Sequence, residues 1–331
     1  MKAIKFFAIS AMAAAMITSC STDDELSQSN YPSDNIIRVT AGVNNAKTRA
    51  EGAGTEMKND FSLTIVNKNA PKYTYTDKVF SKSSGDWACS ETLLWQKSDA
   101  LVDIVAFAPA QTGKFNGVYA NGSIQPIAYS VASDQSTSSA NNDLLYYYAP
   151  GFNPGKSLVD KKLNIQFNHA FCMIDIVVTL GTEFNKPEVL DDSPIVKVTL
   201  GGTKIAASVD VTNAASVVTA SEEAAATDIT TTKGTFDKAA NAEANAKSYF
   251  SCIAIPQTVA ANTFKVSLMT AGKLYEWTSA EPVELKSGYR YTLELSMGND
   301  VVLLKGGSGS DNDGITAKPW TEGTGDSLET E

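Results

Sequence analysis

Two long apolar strands with almost no loop between them occupy the middle of the chain, in residues 161–181. Leu163, Ile165 and Phe167 alternate with polar residues, a period-two pattern that is typical of a half-buried strand. After a short polar break, the apolar and β-branched residues 173–178 indicate a second strand. Because strand-rich sequence lies on both sides of this stretch, we expect one β-domain to end here and the next to begin.

The composition indicates a folded protein made of strands. The chain has 331 residues, and at roughly 100–200 residues per domain this length predicts two domains. Strand-forming residues are frequent, and no long segment after the N-terminus has the 3.6-residue period of a helix. The chain carries 27 Lys and Arg against 37 Asp and Glu, a net charge of -10, which argues against a nucleic-acid partner. We therefore predict an all-β protein with no nucleic-acid partner.

The first twenty residues have the pattern of a lipoprotein signal peptide. Lys2 and Lys5 supply positive charge, residues 6–17 form a short apolar core, and a small residue precedes Cys20. The apolar segment is too short and ends too abruptly for a membrane-spanning helix. We predict a signal peptide in residues 1–19 and lipidation of the Cys20 sulfur; the alternative is a plain secretory signal with an incidental cysteine.

A polar tether is predicted next, over residues 20–34. Its acidic run at 21–25 resembles the surface-export signal of some Gram-negative lipoproteins. The alternative interpretation of this run is a solvated tether with no further role.

A half-buried first strand and an exposed loop follow the tether. Ile37, Val39, Ala41 and Val43 alternate with other residues and therefore share one face. The loop after this strand contains turn formers and two basic residues. An arginine-specific protease needs an extended basic segment such as the one around Arg49, but sequence chemistry alone favours an ordinary solvated arginine.

Short strands separated by turn-forming residues continue on both sides of the central stretch. Residues 212–247 are rich in Ala, Thr, Ser and Glu, and their low apolar content predicts a long mobile excursion. Gly201-Gly202 is interpreted as a hairpin turn. Strands are predicted at residues 61–67, 73–80, 91–96, 101–108, 123–131, 143–147, 163–168, 173–180, 195–200, 204–211, 249–255, 263–270, 273–278, 282–285 and 289–297.

The C-terminal region is distinguished by a glycine-rich linker. Residues 300–305 are apolar enough to form a strand, residues 306–310 read GGSGS, and residues 315–320 are predicted to form a last short strand. A flexible linker ahead of a terminal strand permits that strand to leave its own domain.

The sequence offers no convincing catalytic or metal-binding pattern. His169 is the single histidine and lies in an apolar strand junction, so we interpret it as a structural residue. Cys89, Cys172 and Cys252 lack the CxxC spacing of a zinc site. Cys172 and Cys252 are interpreted as buried free thiols, with a disulfide between them as the alternative. We predict a protein that is not an enzyme and has no metal or cofactor.

Several motifs, taken in order, resemble the fimbrillin family of lipoprotein-derived type V pilins. Each motif is weak alone, but their order covers nearly the whole chain. They are the signal ending in Cys20, the strand NIIRVTAGV followed by TRA, then LLYYYAPG, LNIQFNHAFCMIDIVV, IPQ, LKSGYRYTLEL and the terminal ITAKPW.

This resemblance implies a fold and a maturation route. The fold is two tandem transthyretin-like β-sandwich domains, which we place at residues 35–168 and 169–331. The chain is expected to be exported to the outer membrane with a lipid anchor. An arginine-specific protease would then cleave between Arg49 and Ala50, which removes the first strand, residues 35–49.

The resemblance also implies assembly with other fimbrial subunits. A sandwich that loses its first strand has unpaired backbone groups and an exposed core, and a strand from the next subunit can refill it. Head-to-tail addition of this kind does not close and makes a fibre. Within residues 300–320, the candidate donor residues are Val301, Val302, Leu303, Leu304, Ile315, Ala317 and Trp320.

The role within a fimbrium is left open by the sequence. The linker and final strand favour a stalk subunit, whereas an anchor would keep its lipid and a tip would not need to donate a strand. A different class of function is an uncleaved surface lipoprotein that binds a glycan or a host protein through loops such as residues 133–142. An enzyme is the least favoured reading, because no acid, base or nucleophile pair emerges.

Overall fold

The structure is a computed structural model of the chain. It describes residues 30–44, 55–57, 59–110, 118–139, 142–186, 188–299, 302–304 and 315–320. Strands dominate these residues, which confirms the all-β prediction. Within the same residues, no helix is both long enough and apolar enough to cross a membrane.

The first half of the chain forms strands β1 to β11 and short helical turns. Helix α1 is Pro154–Ser157, and a 3-10 turn is Pro71–Tyr73. The strands are β1 Val39–Val43, β2 Thr55–Glu56, β3 Phe61–Val66, β4 Tyr75–Ser83, β5 Asp86–Cys89, β6 Val102–Ala108, β7 Tyr119–Ala120, β8 Ser123–Ile124, β9 Ile127–Ser130, β10 Leu145–Phe152 and β11 Leu163–His169.

The second half of the chain forms strands β12 to β25, with a 3-10 turn at Thr182–Asn185. The strands are β12 Cys172–Leu180, β13 Ile195–Gly201, β14 Ala206–Val209, β15 Val218–Ala220, β16 Ile229–Thr230, β17 Thr232–Asp237, β18 Ala246–Ala254, β19 Gln257–Val259, β20 Lys265–Thr270, β21 Leu274–Thr278, β22 Val283–Leu285, β23 Tyr289–Met297, β24 Val302–Leu304 and β25 Ile315–Pro319.

The main sheet of the first half closes on itself. Its strands run in the order β11-β10-β6-β3-β4-β5-β1-β2, and β1 also pairs with β11. This last pairing joins the two sides of the sheet into a ring around a core that includes Phe61, Ile104 and Ile165. Closure removes the open edge that such a sheet would otherwise present to other chains.

Several sheets of the second half enclose another core. One sheet runs β17-β18-β12-β23, and both β24 and β25 pair with β23. A second sheet runs β16-β13-β20-β21. The core between them includes Ile176, Leu200 and Leu268, all fully buried. The alternating apolar residues of the sequence point into this core, as the period-two pattern predicts.

The central stretch forms two successive strands, β11 and β12, that belong to different sheets, as predicted. The chain therefore passes from one core to the other within Ala170-Phe171, since only these two residues separate the strands. One strand of the first half, β9, pairs with β14 of the second half. The domain limits at residues 168 and 169, and the transthyretin-like arrangement, stay predictions.

Residues 212–247 are folded, so the predicted mobile excursion was wrong. They contribute strands β15, β16 and β17 and the first residues of β18. Val218 and Ile229 are buried in the second core. Isolated apolar residues in polar sequence are sufficient here because the neighbouring strands supply most of the apolar surface.

Two other local predictions were wrong. Residues 91–96 make only a single bridge, Leu94 to Ile36, rather than a strand. Gly201-Gly202 lies where the chain leaves β13 for another sheet, and not in a hairpin. Gly202 has φ of +85°, and a Cβ there would lie 2.1 Å from the carbonyl oxygen of Thr263. The glycine therefore serves close backbone approach rather than a tight turn.

Candidate subunit interface

Strand β1 occupies a slot in the first-half ring, between β11 and β5, which we call the first-strand slot. It runs parallel to β11 along its whole length, from Val39 opposite Leu163 to Val43 opposite Phe167. On its other side it pairs with β5 at one position, Val39 opposite Trp87, and with β2 at two positions, Gly42 opposite Glu56 and Val43 opposite Thr55. Most of the backbone pairing that holds β1 in the ring therefore comes from β11.

The inner face of β1 completes the first core. Ile37, Val39 and Val43 are buried, with exposed fractions of 6%, 4% and 3%. The facing strand β11 contributes Leu163 and Ile165, both fully buried in the same core. The predicted alternation of the first strand is confirmed, and removing this strand would open the core along β11.

The outer face of β1 carries a polar ladder to β11. The Thr40 hydroxyl donates to Asn164 Oδ1 at 3.2 Å. Asn44 Nδ2 donates to Asn168 Oδ1 at 2.8 Å, and Gly42 lies opposite Gln166. Because a one-residue slip would turn the inner apolar face outward, and these hydrogen bonds fix the same alignment, both faces specify one register.

The start of β1 is held by an exposed ion pair. The Arg38 guanidinium donates to both carboxylate oxygens of Asp34, at 3.0 and 2.6 Å. The Ile36 N–H also donates to Asp34. The hydrogen bond from Arg38 is the largest cause, and the Ile36 N–H the next, of a pKa of Asp34 that is lowered to about 2.

The C-terminal strands β24 and β25 lie on one edge of the second-half sheet. Both pair antiparallel with β23, β24 through Val302 to Leu304 and β25 through Ile315 to Pro319. Val302 is buried, but Ile315 is only half-buried and Ala317 is exposed. Strand β25 therefore buries little apolar surface except through the residue that follows it.

That residue, Trp320, fixes the end of β25 against the junction of the two halves. Its indole stacks on the His169 ring, with centroids 3.6 Å apart and planes 10° apart. The Trp320 backbone N–H donates to the Gly288 carbonyl oxygen at 2.6 Å. His169 Nδ1 lies 2.8 Å from Asp143 Oδ2, and the imidazole is buried. The structural role predicted for His169 is therefore supported by its contacts.

A groove of about 1210 Å³ runs between the first-strand slot and the C-terminal strand. Its walls include the outer-face amides of β11, at Asn164, Gln166 and Asn168, together with Asn44 and Trp320. The end of β1 and the end of β25 thus line one concave surface. A change at either strand alters this surface.

The loop at residues 133–142, considered as a ligand-binding loop, is partly tied to the second core. Gln135 is 1% exposed, its amide oxygen accepts from the Ile253 N–H at 2.8 Å, and its Nε2 donates to the Ile253 carbonyl oxygen at 2.9 Å. Thr230 N donates to the Ser133 carbonyl oxygen at 2.7 Å. A loop held in this way is poorly suited to adapt to a ligand.

The cysteines described by the structure are free thiols. Cys172 and Cys252 are both fully buried, and Cys89 is half-buried. Burial raises the pKa of the Cys172 and Cys252 thiols, so they are chemically inert in the folded state. Among the described residues, no group of three or more His, Cys, Asp or Glu side chains is placed to hold a metal ion.

Some predicted site residues lie outside the described residues. They are Cys20, Arg49, Ala50 and Val301. The side chains of Leu303 and Leu304 are likewise outside the described set, although both residues lie in β24. The structure brings the other donor candidates, Val302, Ile315, Ala317 and Trp320, to one edge of the second-half sheet.

Solved structures with a similar fold come from Bacteroides species. A candidate cell adhesion protein of Bacteroides uniformis aligns with a TM-score of 0.56 at 15% identity, covering 88% of this chain and 100% of that protein. A second, of Bacteroides ovatus, has a TM-score of 0.58 at 17% identity and covers 81% of this chain and 94% of that one. A fimbrial protein of Bacteroides vulgatus has a TM-score of 0.53 at 13% identity, with coverage of 86% and 99%. These likenesses concern the fold.

The family profile described as "Fimbrillin-like" matches residues 48–320. No curated protein matches the sequence. The matched family consists of structural pilus subunits rather than enzymes, which confirms the non-enzymatic prediction. It associates the chain with other fimbrial subunits in an appendage at the cell surface. The chain belongs to the fimbrillin-like family.

Proposed function

We propose that this chain is a stalk-type fimbrial subunit that polymerises by exchange of its first strand. It is exported as an outer-membrane lipoprotein through Cys20 and cleaved between Arg49 and Ala50. A C-terminal strand of the next subunit then fills the vacated slot and builds a fibre that supports adhesion. A feature of the sequence or of the fold supports each step.

The observation that carries this proposal is the position of β1. It closes the first-half ring through parallel pairing with β11, and Arg49 follows the strand by only a few residues. Cleavage there separates β1 from the rest of the chain and leaves every other strand of the described residues uncut. The remaining edge of β11 has unpaired backbone groups and a face of Leu163 and Ile165, which strongly favours capture of another strand.

A donor is available in the same chain. Strands β24 and β25 lie at a sheet edge, and the glycine-rich residues 306–310 precede β25. A strand at the edge of a sheet can leave that sheet at a smaller cost than a central strand. Head-to-tail transfer of such a strand repeats from copy to copy and makes an open fibre.

The proposal is tested on the cell-surface fraction by denaturing gel electrophoresis of unboiled samples, with mass spectrometry to identify the N-terminus of the chain. We expect a chain beginning at Ala50 in a ladder of detergent-resistant multimers. Replacing Arg49 by Ala should leave the lipidated Cys20 on a monomer and abolish the ladder. The matched control is Lys47→Ala, which changes another basic residue of the same loop and should leave the ladder intact. A ladder that persists in the Arg49→Ala variant would contradict cleavage at this site.

The groove between the halves favours a second candidate, the uncleaved lipoprotein that binds a glycan or a host protein. Its amide-rich wall can hydrogen-bond a neutral polar ligand. Mature surface protein with an intact Arg49-Ala50 bond and no multimers would favour this function over polymerisation.

A further inference from the structure

We propose that a second copy of this chain enters the first-strand slot through Ile315-Thr316-Ala317, which replace Val39-Thr40-Ala41. This inference rests on the proposed strand exchange and adds its partner strand and its register. Asn164 is the slot residue that selects the incoming strand, through a hydrogen bond to its threonine.

The contacts of β1 in the slot show which side chains the slot accepts. Val39 lies opposite Leu163 and is buried, whereas Thr40 lies opposite Asn164 and is exposed. The Thr40 hydroxyl donates to Asn164 Oδ1 at 3.2 Å. The slot thus takes a β-branched apolar residue inward and a hydroxyl outward at consecutive positions.

A small residue occupies the third position of the slot. Ala41 lies opposite Ile165 and is half-buried between the strands. The slot pattern at this end is therefore β-branched, hydroxyl and small. It is a pattern that can be searched for in any candidate donor.

The C-terminal strand repeats this pattern. Residues 315–317 read Ile-Thr-Ala, and residues 39–41 read Val-Thr-Ala. Placed in the slot in the direction of β1, Ile315 faces Leu163, the threonine faces Asn164 and Ala317 faces Ile165. Pairing then ends at Pro319, which falls at Val43 and has no N–H to donate.

The other C-terminal strand fits less well. With Val302 at the Val39 position, Leu303 falls opposite Asn164. An apolar side chain there leaves the amide without the hydroxyl that it binds in the native slot. Val302 is also buried in its own sheet, whereas Ile315 is half-buried and Ala317 is exposed. Strand β25 is therefore the better match to the slot, and its residues 315 and 317 are less buried in their own sheet than Val302 is.

A pair of engineered cysteines tests the register. In the full chain, produced and processed in its own cells, Thr316→Cys is combined with Asn164→Cys. Directly opposed outer-face residues of paired strands lie within disulfide distance, so mild oxidation should link neighbouring copies. We expect a ladder that survives boiling and collapses to monomer on reduction.

The matched control combines Thr316→Cys with Gln166→Cys, which lies on the same outer face two residues further along β11. It should give less than a tenth of the cross-linked product. Single-cysteine variants control for the native thiols. Unboiled, reduced samples show whether each variant still assembles.

Each outcome separates the register from the underlying strand exchange. A covalent ladder through position 166 and not 164 overturns the register but keeps strand exchange. Unboiled multimers with no covalent ladder in either pair overturn β25 as the donor. Unboiled wild-type material that is only monomeric overturns strand exchange itself. If a cysteine variant fails to assemble, two separate variants, Asn164→Leu and Gln166→Leu, provide a second measurement. Only Asn164→Leu should lower the temperature at which the multimers dissociate.

Discussion

The two halves of the molecule each begin with a strand that runs parallel to the last long strand of the same half, but these strands are held very differently. Strand β1 has 5 residues and pairs fully on one side, with β11. Strand β12 has 9 residues, pairs along its whole length with β18 and runs parallel to β23 on its other side. The same topological place is thus occupied once by a strand with one fully paired neighbour and once by a central strand with two.

Under the proposed strand exchange, this difference accounts for the opening of the first-half ring while the second core persists. Every second residue of β12 is fully buried, and Asp175 on its other face is bound by the Arg290 guanidinium of β23. Losing β12 would expose the centre of a sheet along two full-length neighbours, whereas losing β1 exposes the edge of β11 and only short paired segments of β5 and β2. The pairing that the proposed exchange would break therefore lies in the first half.

Deleting residues 35–43 before folding should have the largest effect. Three buried side chains are lost, each worth about 1.5–3 kcal/mol, so we expect the first half to lose about 5 kcal/mol or more of unfolding free energy. Chemical denaturation followed by the fluorescence of Trp87 and Trp95 measures this change. A synthetic peptide of residues 35–49 added in trans should restore the loss. Unchanged unfolding of the deletion variant would show that β1 is not part of the core.

Truncating one side chain in each first strand sharpens the comparison. Ile176→Ala in β12 should destabilise the second half by about 2–5 kcal/mol, because the cavity lies in a fully buried sheet centre. Val39→Ala in β1 should lower the free energy of unfolding by only about 1.5 kcal/mol, because it removes two buried carbons from a strand that pairs fully on one side only. Equal free-energy losses from the two variants, measured by urea unfolding, would remove the proposed asymmetry.

Trp320→Ala should release β25 without unfolding the second core. The indole is buried and stacks on His169, so its loss should weaken the attachment of β25 by about 2 kcal/mol. We expect amide hydrogen exchange to accelerate in residues 315–318 and to stay slow in β12. Trp277→Ala, at a half-buried position away from β25, is the matched control. Faster exchange throughout the second half would contradict a local role.

The smallest expected effect is the acid sensitivity of β1. The folded pKa of Asp34 is about 2, below its ordinary 3.8, mainly because Arg38 hydrogen-bonds the carboxylate. A carboxyl group whose pKa is lowered by folding stabilises the folded state at pH values above its unfolded pKa. This contribution is lost as the pH falls from about 4 to about 2. The fraction of β1 that stays bound after cleavage at Arg49 should therefore decline over this window. Asp34→Asn should remove this part of the decline, and an identical pH profile in that variant would contradict the assignment.

The strands that the sequence predicted best are those with a regular period. Leu163, Ile165 and Phe167 of β11 are all fully buried, as their alternation indicates. The polar stretch around Val218 and Ile229 was missed because two apolar residues in such a context carry no periodic signal. Their burial is decided by strands that are remote in the sequence.

The candidate interface was predicted in part. The first strand and the terminal strand were visible as short apolar patterns, but their partners were not. The parallel pairing of β1 with β11 joins residues more than 120 positions apart, and no local pattern encodes it. The stacking of Trp320 on His169 likewise depends on how β25 lies on β23.

The parallel direction of β1 and β11 also gives the slot a polarity. Strand β11 ends at His169, next to the second half, so the Val43 end of the slot points toward that half and the Val39 end points away. A strand that keeps this direction must arrive from the far pole of the first half. In the proposed exchange, the subunit that donates this strand would extend the fibre lengthwise rather than sideways, and the two ends of the fibre would be chemically different.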